Sequence, residues 1–194
     1  MAQETGTFKG RVAVAGLGGL GSHIAVFLAR SGVRHLHLID FDRVDESNLH
    51  RQYYRIQDIG NYKTETLRKE IQAITSECTV AIDTVRVTEE NIDGLFKHDE
   101  IICEAFDNPV AKALLVNAIL GRFPEKILVS ASGLAGYGSA NDIVTRKITN
   151  RFYLCGDGIN EVKPGERLVA PRVALCAGHQ ALMVIRLLRG EQTV

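Results

Sequence analysis

Short apolar runs alternate with longer segments of helical periodicity along most of this chain. Apolar runs that are β-branched or closed by glycine predict buried strands at residues 11–16, 35–40, 79–87, 100–105 and 126–130. Helical spacing between the runs predicts helices at residues 19–29, 61–75 and 108–122. This alternation of strand and helix predicts a Rossmann-like α/β fold, a mostly parallel sheet with helices on both faces.

The pattern changes after the fifth predicted strand. Residues 132–139 are rich in glycine, and residues 142–148 predict a strand that runs antiparallel to its neighbours. A loop containing Gly156, Gly158, Pro164 and Gly165 then leads to a final helix at about residues 171–188. We find no internal repeat, low-complexity tract or linker, so we predict a single domain over residues 1–194.

Composition narrows the class of protein. The chain is 45% hydrophobic and 24% charged, which is typical of a globular protein with a substantial core. Lys and Arg total 23, as do Asp and Glu, and a net charge of zero argues against a nucleic-acid or anionic-membrane partner. No apolar run approaches the roughly 20 residues of a membrane span. Four scattered cysteines do not resemble a disulfide framework, so we expect a cytoplasmic protein.

A glycine-rich turn joins the first predicted strand to the first predicted helix. Its sequence, GLGGLG, has the spacing G-x-G-x-x-G, and the residues concerned are Gly16, Gly18, Gly19, Leu20 and Gly21. Glycines let backbone N–H groups approach phosphate, and a helix N-terminus favours negative charge. Asp40, at the end of the second strand, is the expected acceptor for ribose hydroxyls. These features predict an adenine nucleotide, and by themselves they fit NAD as well as ATP.

The loop after the second strand favours a triphosphate. It contributes Asp42, Asn48, Arg51 and Gln52, and Lys63 opens the next helix. A carboxylate that attacks a nucleotide phosphate meets repulsion of about 4 kcal/mol per unit charge pair at 4 Å and an effective dielectric near 20. Fixed cations offset this cost, so this cluster favours an enzyme that holds and breaks a triphosphate.

A further carboxylate, Asp107, follows the fourth predicted strand. Ligands of open α/β sheets bind beyond the carboxyl ends of the strands, where Asp107 would hold Mg²⁺ between phosphates. Alternatively, Asp107 caps the helix that has Pro109 in its first turn, or Asn108 provides that cap. The sequence leaves these alternatives open.

Together, GLGGLG, LIDFDRVDESNLHRQ, NYK and FDN resemble the ThiF/MoeB/HesA family, the bacterial relatives of ubiquitin-activating enzymes. The resemblance extends from about residue 9 to 117 and more loosely through the final helix. It implies that Asp40 holds the ribose and that residues 18–21 line the phosphates. It also implies that Asn48, Arg51 and Lys63 contact the triphosphate, with catalytic roles for Arg51, Lys63 and Asp107, and that Asp107 binds Mg²⁺.

The resemblance further implies an activity. In this family, ATP adenylates the C-terminal glycine carboxylate of a small ubiquitin-like sulfur-carrier protein ending in Gly-Gly, and pyrophosphate is released. The compact form without paired C-x-x-C motifs is most similar to a short ThiF subfamily, which implies thiamine biosynthesis, a homodimer and no zinc. We expect Cys155 and Cys176 to be buried cysteines and His179 to lie on a helix face, rather than all three to form a metal site.

Three other functions remain open at the level of sequence. A related enzyme of the same superfamily would adenylate a peptide terminus or a nucleoside. An NAD-dependent oxidoreductase would share the glycines and Asp40, although it has no evident need for Arg51 and Lys63. A nucleotide-binding partner protein would bind ATP without catalysis.

Overall fold

The computed structural model describes residues 8–132, 134, 136–158 and 167–194. Within these residues seven strands form one sheet: β1 Phe8–Ala15, β2 Val33–Ile39, β3 Thr79–Asp83, β4 Ile101–Glu104, β5 Ile127–Ala131, β6 Val144–Thr149 and β7 Phe152–Gly156. The helices are α1 Gly19–Arg30, α2 Lys63–Ile74, α3 Ile92–Leu95, α4 Pro109–Arg122 and α5 Ala170–Leu188. None of the helices in the described part is long and apolar enough to cross a bilayer.

The strands lie in the order β3-β2-β1-β4-β5-β7-β6, and only the β6–β7 pair is antiparallel. The predicted Rossmann-like α/β class is therefore confirmed, including the antiparallel strand near the C-terminus. β1 lies between β2 and β4, so the chain turns to opposite sides of β1 in its two halves. A crevice opens at such a switch point beyond the carboxyl ends of the strands, and this is where open α/β sheets bind ligands.

Each face of the sheet has its own apolar core. Val12 and Val14 of β1 pack with residues of α1, α2 and α5. Ala13 and Ala15, which point to the opposite face, pack with residues of α3 and α4. Successive strand residues alternate between faces, so the run VAVA supplies both cores and is wholly buried. Because β1 is packed on both faces, its position and that of the glycine turn that follows it are fixed in the fold.

The structure corrects the predicted elements in two places. β3 ends at Asp83, so residues 84–87, predicted as strand, form an irregular segment instead. The loop predicted around Gly156 contains β7, which pairs parallel with β5 and carries β6 at its outer edge. Pairing on both sides stabilises this five-residue segment as a strand, which its short pattern did not predict. Pro164 and Gly165 lie outside the described residues.

His37 on β2 is buried between two carboxylates. Its Nδ1 lies 2.8 Å from Asp99 and its Nε2 lies 2.8 Å from Asp83, while Arg11 donates to Asp99 at 2.7 Å. Burial lowers the pKa of His37, but the hydrogen bonds to Asp99 and Asp83 and the Asp99 charge outweigh burial and the Arg11 charge. The pKa of His37 is therefore raised above its ordinary value of 6.5.

This raised pKa predicts a pH-dependent stability. Charged His37 stabilises the fold, and this contribution is complete below pH 6.5 and is lost as the pH rises through the higher folded pKa. Urea unfolding at a series of pH values should show stability falling across this window, with a shallower fall in His37→Gln. Identical pH slopes for the two proteins would contradict the prediction.

Candidate functional site

A cavity of about 540 Å³ opens over the carboxyl ends of β1, β2, β4 and β5, at the switch point. This volume is within the range of small-molecule and cofactor sites. The cavity brings together the glycine turn, the loop after β2, the start of α2 and the loop after β4. The sequence-predicted residues that line it are Gly16, Gly18, Gly19, Leu20, Asp40, Asp42, Asn48, Arg51, Gln52, Lys63 and Asp107.

The glycine turn is shaped by close backbone approach. Gly16 has φ +88, and a Cβ there would lie 2.9 Å from the carbonyl oxygen of Ala105. Gly18 stands at the N-terminus of α1 without a side-chain cap, so the first N–H groups of α1 are available to an anion in the cavity. Gly21 is not among the lining residues of the described chain. It is buried beneath the turn, where a Cβ would overlap the Gly16 carbonyl oxygen, so the structure gives Gly21 a packing role.

Asp40 is fixed at the edge of the cavity by two backbone hydrogen bonds. Its Oδ2 accepts from the Leu17 N–H at 2.6 Å and its Oδ1 from the Asp42 N–H at 2.8 Å. Burial raises the pKa of Asp40, although the Lys63 charge and the two N–H donors oppose the shift. Each oxygen retains acceptor capacity, and the carboxylate is held rigidly where a ribose would need it.

The loop after β2 is docked against the glycine turn. The Tyr54 hydroxyl donates to the Leu17 carbonyl at 2.8 Å, and the Tyr53 N–H donates to the Ser22 hydroxyl at 3.0 Å. The Arg51 carbonyl lies 3.6 Å from the place that a Cβ on Gly19 would occupy. This docking explains how a loop distant from α1 in sequence delivers its polar side chains to the end of that helix.

Two cations of the predicted set are oriented by neighbours. Arg51 donates to Asn48 Oδ1 at 2.8 Å, which holds one edge of the guanidinium. Lys63 is 5% exposed, and its Nζ lies 3.0 Å from Asp42 Oδ2. Gln52 is also buried, and its Oε1 has no hydrogen-bond partner among the described residues. Such an orphaned oxygen beside the turn is compatible with a ligand or water that would satisfy it.

The structure separates the two residues that competed for capping and metal binding. Asn108 Oδ1 accepts from the N–H groups of Val110 at 2.9 Å and Ala111 at 3.0 Å, so Asn108 is the N-cap of α4. The Asp107 side chain is exposed in the cavity and makes no hydrogen bond to the described residues.

A Mg²⁺ ion fits the chemistry of the carboxylates around the cavity. Asp40 is bound by backbone N–H groups and Asp42 by Lys63, which leaves Asp107 as the unengaged carboxylate among the described lining residues. Mg²⁺ in nucleotide sites takes one or two carboxylates together with phosphate oxygens and water. Asp107 would hold the ion, and it is the only ligand that we assign to this chain.

Sequence reasoning missed several residues around the cavity. Arg86 lies over the Phe41 ring, 3.9 Å from its centroid, and both line the cavity beside Val85. Arg86 was hidden in the overlong prediction of the third strand. Lys112 also lines the cavity, from the second turn of α4. A lysine on the helix that follows FDN is a weak signal, because a surface position is equally compatible with it.

The four cysteines are buried and free. Burial raises the pKa of Cys78 and of Cys155 to about 11, and it also raises those of Cys103 and Cys176. Thiols with raised pKa values and no solvent access are poor nucleophiles. The His179 Nδ1 lies 3.0 Å from the Thr145 hydroxyl. The structure therefore gives Cys155 and Cys176 the expected character of core residues.

Comparisons with known proteins agree with this architecture. A family model described as the ThiF family matches residues 4–194. The chain is 35% identical over 131 residues to the adenylyltransferase and sulfurtransferase uba4 of Aspergillus fumigatus, covering 66% of this chain and 26% of that protein. It is 38% identical over 109 residues to the probable adenylyltransferase/sulfurtransferase MoeZ of Mycobacterium tuberculosis, covering 56% and 28%. The chain thus spans well under half of these relatives.

Solved structures show the same fold. The tRNA N6-threonylcarbamoyladenosine dehydratase TcdA of E. coli, in complex with ATP, aligns with a TM-score of 0.84 at 22% identity, covering 93% of this chain and 86% of that one. At this identity the likeness concerns the fold. The family model covers nearly the whole chain, and the residues that carry the resemblance converge on one cavity. The chain belongs to the ThiF family.

Proposed function

We propose that this chain is an adenylyltransferase that uses ATP to activate the C-terminal carboxylate of a small ubiquitin-like sulfur-carrier protein. The observation that carries the proposal is the composition of the cavity. The bare N-terminus of α1, the cations Arg51 and Lys63, and the unengaged Asp107 carboxylate all line it. An NAD site has no evident need for this combination, whereas transfer of a nucleotidyl group does.

In the proposed reaction the carrier carboxylate is the nucleophile. It is ionised at neutral pH and needs no general base. A carboxylate oxygen forms a bond to the α-phosphorus of ATP, the bond between the α- and β-phosphates breaks, and pyrophosphate leaves with that electron pair. The products are the carrier acyl-adenylate and pyrophosphate.

The chain would contribute positioning and charge. Asp40 would accept from the ribose, the N–H groups at the start of α1 would bind phosphate oxygens, and Gln52 and Asn48 would add neutral contacts. Arg51 and Lys63 would offset the charge that develops as pyrophosphate leaves. Mg²⁺, when bound at Asp107, supplies further neutralisation of the phosphates.

Both the carrier and its setting belong to the proposal. The named activities of uba4 and MoeZ, adenylyl transfer and sulfur transfer, support a sulfur carrier as acceptor. We propose a ThiS-like carrier in thiamine biosynthesis, supported by the ThiF family match. A cytoplasmic setting is supported by four free cysteines. Leu175 and Leu182 are exposed on the same face of α5, about two helical turns apart, which supports burial of that face in a homodimer.

A second acceptor class has one observation in its favour. TcdA, whose fold aligns closely with this chain, is a tRNA-modifying dehydratase. The neutral net charge favours a protein carboxylate over tRNA for this chain, because phosphate binding draws on a positive surplus. An acceptor screen therefore needs both classes.

ATP–pyrophosphate exchange tests the proposed function. Purified protein, Mg²⁺ and ATP are incubated with radiolabelled pyrophosphate and sulfur carriers ending in Gly-Gly, and the matched control is each carrier without its last glycine. We expect exchange with at least one intact carrier and none with its truncated form. Tight ATP binding without exchange for any carrier, but with turnover on a modified tRNA, would replace the protein acceptor by the second class. Tight NAD binding without ATP binding would exclude adenylyl transfer.

A further inference from the structure

We infer that Glu104, paired with Lys112, positions the turn that carries Asp107 and thereby sets the metal-dependent part of ATP affinity. The inference rests on the proposed function only through the assignment of Asp107 to Mg²⁺. Glu104 is a wholly buried carboxylate at the end of β4, and the proposed reaction gives it no direct role. Burial of a carboxylate is costly unless it is paired and hydrogen-bonded, so its contacts call for an explanation.

Both oxygens of Glu104 are engaged by different parts of the fold. Oε1 accepts from the Phe106 N–H at 2.8 Å. Oε2 accepts from Lys112 Nζ of α4 at 2.5 Å and from the Ser130 hydroxyl of β5. The Glu104 carbonyl accepts from Gln180 of α5 at 3.2 Å. One residue therefore ties together two strands, two helices and the chain that leaves β4.

These bonds hold the backbone on both sides of Asp107. On one side the Glu104 carboxylate folds back onto the Phe106 N–H, which turns the chain immediately after the strand. On the other side Asn108 caps α4 through two N–H groups. Asp107, between them, is left exposed in the cavity without a hydrogen bond of its own to the described residues. The turn therefore fixes the backbone that presents this carboxylate.

Lys112 completes the arrangement. Its Nζ bonds the carbonyl of Ala131 at 3.0 Å as well as Glu104, so it joins α4 to the ends of β4 and β5. It also neutralises Glu104, which would otherwise add a second negative charge near Asp107 and the phosphates. Loss of Lys112 would leave the buried Glu104 charge without its ion-pair partner, and the carboxylate would then pull away toward water.

A purely structural ion pair is the alternative, and the two roles predict different measurements. A structural pair affects global stability and affects ATP binding equally with and without Mg²⁺. A positioning pair lowers, in addition, the part of ATP affinity that Mg²⁺ adds, and does so only while Asp107 is present. Asp99 is a matched control, since it is also a buried carboxylate in an ion pair, but it lies at the opposite end of the sheet from the cavity.

The test is calorimetric titration of the full chain with ATP, once in Mg²⁺ and once in EDTA, and the readout is the ratio of the two dissociation constants. The variants are Asp107→Asn, Glu104→Gln, Lys112→Met, Lys112→Arg, Asp99→Asn and the double variant Asp107→Asn/Glu104→Gln. Mg²⁺ should tighten ATP binding to the wild-type protein about tenfold, a factor within the usual range for coupled ligands. Asp107→Asn should abolish this gain.

Glu104→Gln should remove most of the Mg²⁺ gain while leaving the EDTA affinity within about twofold, because Glu104 is not among the described residues that line the cavity and its loss displaces the turn. Lys112→Met should also remove most of the Mg²⁺ gain. Because Lys112 lines the cavity, the EDTA affinity of this variant should fall as well, so the ratio of the two dissociation constants is its readout. Lys112→Arg should retain more of the gain than Lys112→Met. The double variant should be no worse than Asp107→Asn alone, and Asp99→Asn should keep the wild-type ratio. If Glu104→Gln does not fold, the ratio of dissociation constants of Lys112→Met, a substitution at a partly exposed position, tests the inference.

Two results would overturn the inference. The first is an unchanged ratio of dissociation constants in both Glu104→Gln and Lys112→Met, including an equal loss of affinity with and without Mg²⁺. The second is a Glu104→Gln effect on the ratio that persists in the absence of the Asp107 carboxylate. No Mg²⁺ gain in the wild-type protein would remove the metal assignment and this inference together. Adenylation itself would remain open to the exchange assay, so failure of the inference and failure of the proposed function are distinguishable.

Discussion

Replacement of Arg51 by alanine is expected to lower carrier-dependent ATP–pyrophosphate exchange by about 10²- to 10³-fold, the usual cost of removing one preorganised donor from a transition state. Arg51 lines the cavity beside the glycine turn, and its guanidinium is held along one edge by Asn48. The remaining N–H donors can bind phosphate oxygens in a fork. Arg51→Lys should recover only part of the rate, because a lysine keeps the charge but loses the fork.

Arg43→Ala is the matched control for this prediction. Arg43 stacks on the Tyr62 ring at 3.8 Å and donates to the Gly60 carbonyl at 2.6 Å, and it does not line the cavity. Its loss should leave exchange within about twofold of wild type, since surface substitutions away from a site have small effects. Separate measurement of the ATP affinity of each variant distinguishes a loss of ATP binding from a loss of the adenylation rate. Equal exchange by Arg51→Ala and Arg43→Ala would exclude the catalytic role of Arg51.

Replacement of Gly21 by alanine is expected to destabilise the fold by at least about 2 kcal/mol, because an added Cβ would overlap backbone and not a movable side chain. The overlap is with the carbonyl oxygen of Gly16. The backbone of Gly16 is held by the hydrogen bond from its N–H to the Ile39 carbonyl and by its φ of +88. Neither the turn nor α1 can yield without disturbing β1. We expect both a lower urea midpoint and weaker ATP binding.

Gly121→Ala provides the comparison. Gly121 lies in α4, and a Cβ there would meet no atom within 4 Å. Alanine at such a helical position should stabilise the protein by about 0.5–1 kcal/mol, because it restricts the unfolded chain more than glycine does. Opposite shifts of the urea midpoint for the two variants would support the packing role of Gly21. A Gly21→Ala midpoint equal to that of wild type would contradict it.

Much of the nucleotide half of the site was predictable from sequence, and the reason is local. Gly16, Gly18 and Gly19 lie within one strand–turn–helix unit, and their spacing alone predicts the backbone geometry that the structure has. Asp40 and Arg51 lie in one block that follows the next strand. The carboxyl ends of parallel strands meet at one edge, so placing these segments at strand ends sufficed to bring them together.

The remaining features could not be predicted from local patterns. The cap of α4 is a local contact, but the sequence offered both Asp107 and Asn108 for it, and only the hydrogen-bond distances show that Asn108 is the cap. β7 went unpredicted because its stability as a strand comes from β5 and β6 on either side. The sequence did not predict a role for Glu104 and Lys112, because their hydrogen bonds form only when β4, β5 and α4 are packed together.

The sequence by itself thus determined the α/β class, the glycine turn and the polar set around the phosphates. These properties follow from short-range spacing, from side-chain chemistry and from the rule that parallel strands end at one edge. Only the tertiary structure decided which carboxylate remains unengaged, where the outer strands pair and how the Asp107 turn is held. Each of these depends on contacts between residues distant in sequence, and such contacts are set by strand order and packing, which local periodicity does not encode.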